Sequence, residues 1–197
     1  MSKIYSENNI RWNYVLDGYN GYIGGTFRAS NLSGGFHGLL KQWWEYFTLN
    51  IDNPKVLLVC ENLKVKSELN NIYKNWNISV IDLFPNLQNN EDVIISDICK
   101  EALQNKYDLI INQANLEHMY NPFGVMSNLC NGLNKGGYLI THTHAQTMKY
   151  HQYPRDYIRF MIDWWYDLPQ HISDIKLVEL YEDDNLKHVL TCYEKIN

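Results

Sequence analysis

His142 and His144 stand two positions apart, and His151 follows seven residues later. On an extended strand, residues i and i+2 share a face, so the first two imidazoles sit side by side. From His142 to Arg159 the chain also carries Arg155, Asp156 and Arg159. Three histidines, one aspartate and two arginines are more than a packed core needs. Upstream, Asn112-Gln113-Ala114-Asn115-Leu116-Glu117-His118 forms a second polar stretch. Two chemistries compete for these groups, beside a purely structural use. A histidine titrates near working pH, so His118, His142 or His144 can serve as a general base. Alternatively, His142 and His144 can hold a divalent metal together with Glu117 or Asp156. The base is the leading reading, and no resident metal is assigned.

These residues must be positioned by a sheet. Val56-Leu57-Leu58-Val59-Cys60 is a continuous apolar run, as expected for a strand buried on both faces. Further strands are expected at Ile78 to Leu83, Asp92 to Ser96, Tyr107 to Asn112 and Tyr138 to Thr143. Helical spacing marks Phe36, Leu39, Leu40, Trp43, Trp44 and Phe47, then Leu63 to Trp76, and Pro122 to Leu133. A short helix is expected around Glu101 and another after Pro154, carrying Tyr157 to Trp165. Asn134-Lys135-Gly136-Gly137 reads as a turn that ends a helix. Lys176 to Tyr181 and His188 to Tyr193 alternate around Asp183-Asp184-Asn185, which is hairpin chemistry. Strands alternating with helices predict an α/β three-layer sandwich. Its seven-stranded sheet is mostly parallel, with a C-terminal antiparallel hairpin.

In such sheets ligands bind beyond the carboxyl ends of the strands, where the strand order switches. Asp82 ends the second expected strand, where a carboxylate can accept from both hydroxyls of a ribose. Asp97 and Ile98 follow the third; the acid can accept from an adenine amine while the isoleucine packs on the ring. An N-cap is the equal alternative for Asp97. Asn112 and Gln113 end the fourth and would line the cleft.

Composition narrows the class. The chain has 197 residues, 45% of them hydrophobic, and a net charge of −5. That composition is globular rather than disordered. No basic block suggests a nucleic-acid grip or a polybasic membrane anchor. No apolar run approaches the roughly 20 residues that span a bilayer. Cys60, Cys99, Cys130 and Cys192 lack C-x-x-C spacing and read as reduced thiols, which suits a cytoplasmic protein.

The motifs also resemble a family. Tyr107 to Ile111, then Asn115-Leu116-Glu117-His118-Met119, Asn121-Pro122 and Leu133-Asn134-Lys135-Gly136-Gly137-Tyr138-Leu139-Ile140 look like the class I S-adenosylmethionine-dependent methyltransferases. The stretch His151 to Phe160, with Asp163 to Pro169, is similar to a methyltransferase type 11-like subgroup associated with surface-glycan synthesis. The resemblance covers about residues 54 to 197. It implies a Rossmann-like fold over 51–197, with 1–50 as a cap above the cleft. It also implies S-adenosylmethionine as cofactor and O-methylation of a small polar acceptor, a sugar or sugar nucleotide. On this reading His144, His118 and His142 are catalytic, and His151, Arg155, Asp156 and Arg159 hold the acceptor. The family's G-x-G after the first strand is replaced by Cys60-Glu61-Asn62-Leu63, and no glycine occurs between Pro54 and Gly124. Glu61 can stand in by holding the cofactor's amino group, while Tyr14, Tyr22 and Arg28 of the glycine-rich N-terminal segment close over the cleft. A partner subunit of the same fold that binds no cofactor is the non-enzymatic alternative, and a homodimer is compatible with the Trp-rich helix.

Overall fold

A computed structural model describes residues 3–6, 35–83, 93–104, 106–152, 155–182 and 187–197. The expected closure by Tyr14, Tyr22 and Arg28 falls outside the described residues. The described elements run β1 (Lys3–Ser6), α1 (Gly35–Thr48), β2 (Lys55–Val59), α2 (Leu63–Ile72), β3 (Asn77–Asp82), β4 (Val93–Ile95), β5 (Tyr107–Gln113), α3 (Pro122–Asn131), β6 (Leu133–His144), α4 (Ile162–His171), β7 (Ile175–Glu182) and β8 (His188–Lys195). A single turn of 3-10 helix, Leu116–His118, follows β5.

Eight strands form one sheet in the order β1-β7-β8-β6-β5-β2-β3-β4. The five from β6 to β4 are parallel. The hairpin β7–β8 is antiparallel, and β8 pairs with β6. The seven expected strands are present, and Lys3–Ser6 adds an eighth on the β7 edge. Both faces are covered, which is why Val56, Leu57, Leu58 and Val59 are all buried in succession. On one face lie the α1 residues Leu39, Leu40, Trp43, Trp44 and Phe47. On the other, Val125, Met126 and Leu129 of α3 join Trp165 and Leu168 of α4. The Tyr193 hydroxyl donates to the Trp165 carbonyl at 2.6 Å and fixes α4 against β8.

Three local expectations are corrected. No helix forms around Glu101: residues 98–100 make a turn, because the Asp97 carboxylate accepts from the Cys99 N–H at 3.0 Å and closes the chain locally. The helix after Pro154 begins only at Ile162, since residues 155–160 are held in irregular backbone by contacts given below. Helix α3 ends at a right-handed Gly132, and the left-handed glycine is Gly136, inside an irregular start of β6. There the register jumps from Tyr107↔Leu133 to Leu109↔Tyr138.

Gly137 sits at the neck of that excursion. A Cβ at this position would lie 2.9 Å from both the Asn134 and Tyr107 carbonyl oxygens. Those atoms are backbone and cannot swing away. Gly137→Ala is therefore expected to lower unfolding stability by roughly 1–3 kcal/mol in denaturant titration, with an unchanged m-value. A loss below about 0.5 kcal/mol would show that the neck is loose.

Candidate functional site

The strand order reverses at β2: β3 follows on one side and β5 lies on the other. The carboxyl ends of β2 and β5 therefore flank the ligand crevice expected for this topology. Both strands end in left-handed backbone at non-glycine residues, Cys60 (φ 55) after β2 and Ala114 (φ 49) after β5. Each such residue costs about 1–3 kcal/mol, and such residues cluster at binding sites. Cys60 thus takes the backbone conformation that a glycine adopts most readily.

Around this point lie several of the expected binding residues. Glu61 is buried, and Asp82 is half-buried at the end of β3. Burial pushes the Glu61 carboxyl up to about 8, against a smaller lowering by the Asn62 backbone N–H. Asn112 is fully buried, and neither its side-chain oxygen nor its nitrogen has a hydrogen bond. Asn115, which the sequence reading did not single out, donates to the Val59 carbonyl at 2.9 Å and links the two strand ends. Gln113 is buried and pairs in register with His142. Ile98 is buried; Asp97 is committed to Cys99 and to Lys100 at 2.9 Å.

The histidines gather one strand further, at the ends of β5 and β6, around Glu117. This carboxylate is fully buried in the turn after β5. Its Oε2 accepts from the Thr143 hydroxyl at 2.5 Å. Its Oε1 has His144 Nδ1 at 2.6 Å, His118 Nε2 at 3.7 Å and His151 Nε2 at 3.8 Å. Burial alone would raise the Glu117 pKa, but the His144 ring and the Thr143 hydroxyl more than offset it and keep the carboxyl below its ordinary value. Burial and the neighbouring His144 hold the His151 ring below the usual histidine value. His142 is close to the group, with its Nε2 3.0 Å from His188 Nδ1. His188, also unforeseen, sits opposite His144 in the β6–β8 register, which hairpin pairing puts there.

The segment after β6 folds back over this cluster. The Tyr157 N–H donates to the Glu117 carbonyl at 2.9 Å, and Ala145 bridges to Phe160. Asp156 accepts from the His151 N–H at 2.8 Å and pairs with both terminal nitrogens of Arg159. Burial would raise the Asp156 carboxyl, but the Arg159 fork outweighs it and takes the group down to about 2. Arg159 also donates to the Met148 and Lys149 carbonyls at 2.9 Å, so its guanidinium braces the loop. Arg155 contributes its carbonyl, which lies 2.5 Å from His118 Nδ1, while its side chain is exposed.

A family model described as a methyltransferase domain matches residues 39–193. The chain belongs to that family. No curated protein matches the chain. Its fold is similar to an S-adenosylmethionine-dependent methyltransferase from Clostridium acetobutylicum ATCC 824 (TM-score 0.58, 10% identity, 82% of this chain and 99% of that one). It is also similar to the 1,6-didemethyltoxoflavin-N1-methyltransferase from Burkholderia thailandensis, solved with its substrate and S-adenosylhomocysteine (TM-score 0.57, 11% identity, 82% and 84%). A third is coclaurine N-methyltransferase (TM-score 0.55, 12% identity, 86% and 74%). No described helix is long and apolar enough to cross a membrane.

The raised Glu61 carboxyl makes a prediction. A group whose pKa is higher in the folded state stabilises the fold below its unfolded value of 4.5 and ceases to do so as pH rises through about 8. Relative to Glu61→Gln, the cofactor-free wild type should lose melting temperature steadily between about pH 5 and pH 9. Parallel melting profiles of the two proteins would contradict a buried, uncharged Glu61.

Proposed function

We propose that this chain transfers the methyl group of S-adenosylmethionine to an oxygen of a small polar acceptor, a sugar of a surface glycan. The observation that carries the reading is the buried Glu117 carboxylate held against His144 beside the crevice. When bound, S-adenosylmethionine supplies an electrophilic methyl group. The chain's own part is to fix the acceptor oxygen in line and remove its proton. His144 takes that proton, and ionised Glu117 stabilises the imidazolium that results, as a carboxylate does behind any histidine base. The acceptor oxygen gains the methyl group as the proton passes to the ring.

The cofactor's groups have matching partners along the strand ends. Glu61 would hold the amino group and Asp82 the ribose hydroxyls, with Asp97 and Ile98 at the adenine. Asn112, buried with both amide ends idle, suits a ligand that both donates and accepts. The acceptor would meet His118, His142, His151 and the loop of Arg155, Asp156 and Arg159. Tyr150 and Tyr157 are exposed on that loop. Flat rings of this kind offer a surface to the apolar face of a sugar, which favours a glycoside over a smaller acceptor.

Calorimetric titration with S-adenosylhomocysteine, followed by an acceptor screen across nucleotide sugars and glycosides, tests the reading. Micromolar binding and methylation of one of these classes is expected. His144→Ala should lower kcat by about 10²–10⁴-fold with cofactor affinity retained. A wild type that binds the product cofactor but methylates no sugar would overturn the acceptor. Wild-type turnover in His144→Ala would overturn the base.

A further inference from the structure

We propose that Glu117, His144 and His151, with His118 as a fourth ligand, form a site for one divalent transition-metal cation of the zinc type. One ligand atom each from Glu117, His144 and His151 lies within 4.8 Å of the others. His118 Nε2 approaches the same Glu117 oxygen at 3.7 Å. By spacing, His142 and His144 pair with Glu117 or Asp156 for a metal; the fold keeps His144 with Glu117 and brings His151 in place of His142.

The hydrogen bonds behind the rings decide where their protons lie. His118 Nδ1 faces the Arg155 carbonyl at 2.5 Å, and a carbonyl only accepts, so Nδ1 carries the proton. His151 Nδ1 lies 3.3 Å from Asp156 and 3.4 Å from both the Lys149 carbonyl and Arg159 Nη2. That arginine nitrogen already spends its two protons on Lys149 and Asp156. His151 Nδ1 must therefore be a donor too. Both rings then turn an Nε2 lone pair toward a carboxylate oxygen, at 3.7 and 3.8 Å.

Two lone pairs aimed at an anion repel it; a cation between them converts the repulsion into ligation. Metal–ligand bonds of about 2.0–2.1 Å in a tetrahedron set neighbouring ligand atoms about 3.3 Å apart, so these two edges need only a slight contraction. The His144 edge is 2.6 Å and must open. That contact is already incomplete: neither Glu117 Oε1 nor His144 Nδ1 has an aligned hydrogen bond, although both are buried. The outer shell is present as well. Metal-bound histidines hand their far N–H to a carbonyl or carboxylate, and Thr143 secures the other Glu117 oxygen.

Binding of the ion does not depend on the methyltransferase reading, but its use does. Four protein ligands close a tetrahedron, so a hydroxyl would reach such a cation only as a fifth ligand, where its proton is lost more readily than in water. In the loaded protein the cation-bound hydroxyl would replace the His144 imidazole as the means of deprotonation.

The test uses the whole chain, stripped with a chelator and titrated with Co2+ and then Zn2+ in the absence of any cofactor. One equivalent of Co2+ should bind with visible absorption bands and be displaced by Zn2+. Glu117→Gln and His151→Ala each remove a direct ligand and should weaken binding by at least about 100-fold, the upper end of what loss of an outer-shell partner costs. His171→Ala, exposed at the end of α4, should bind as wild type. His151 is only half-buried, so its variant tests the site even if the Glu117 variant unfolds. A wild type that binds neither ion overturns the site, as do variants that bind like wild type. S-adenosylhomocysteine calorimetry on the same samples separates the two claims, since either can fail while the other stands.

Discussion

A carboxylate with no exposed surface, placed where three imidazoles converge, is the constraint on which the functional end of this protein depends. Removing a charge from water is tolerated only where compensating partners surround it. Glu117 obtains them from Thr143 and His144 on β6, from its neighbour His118, and from His151 on the loop that follows β6. Its backbone carbonyl takes a further bond from Tyr157. One residue in the turn after β5 thus ties together a strand and a loop distant in sequence.

The rest of the fold makes that arrangement rigid. The parallel strands β5 and β6 run side by side with Gln113 opposite His142, which sets the height of the histidines above the sheet. The return loop is held by Arg159, whose guanidinium is spent on Asp156 and the Met148, Lys149 and Ile158 carbonyls. These bonds also explain why residues 155–160 do not join α4. The neighbouring crevice, between the ends of β2 and β5, is shaped by left-handed residues at Cys60 and Ala114. The crevice and the histidine cluster therefore occupy adjacent strand ends.

Much of this was legible in the chain. A continuous apolar run located β2, because a strand buried on both faces leaves that signature, and shorter apolar stretches located the other four parallel strands. Asp183-Asp184-Asn185, turn-favouring residue types between two alternating segments, marked the hairpin. The histidines stood out by type and spacing. What spacing does not reveal is which side of a loop faces a strand. Arg159 read as a group for holding an acceptor, yet its hydrogen bonds brace the loop. His188 was hidden because only the β6–β8 register sets it opposite His144. Lys3–Ser6 is too short to announce itself, and it becomes a strand by pairing with β7. Cys60 hides its backbone conformation, since nothing about a cysteine predicts a positive φ.

Glu117 organises the rings so that His118 and His151 turn unprotonated Nε2 atoms toward it. Imidazole nitrogen chemical shifts from 15N-labelled, metal-free protein report the tautomer of each ring directly, at about pH 8, above the ordinary histidine pKa. Both His118 and His151 should show the Nδ1–H tautomer, with both Nε2 signals moving on addition of Zn2+. Nε2–H tautomers for these two rings, or shifts indifferent to Zn2+, would contradict that arrangement.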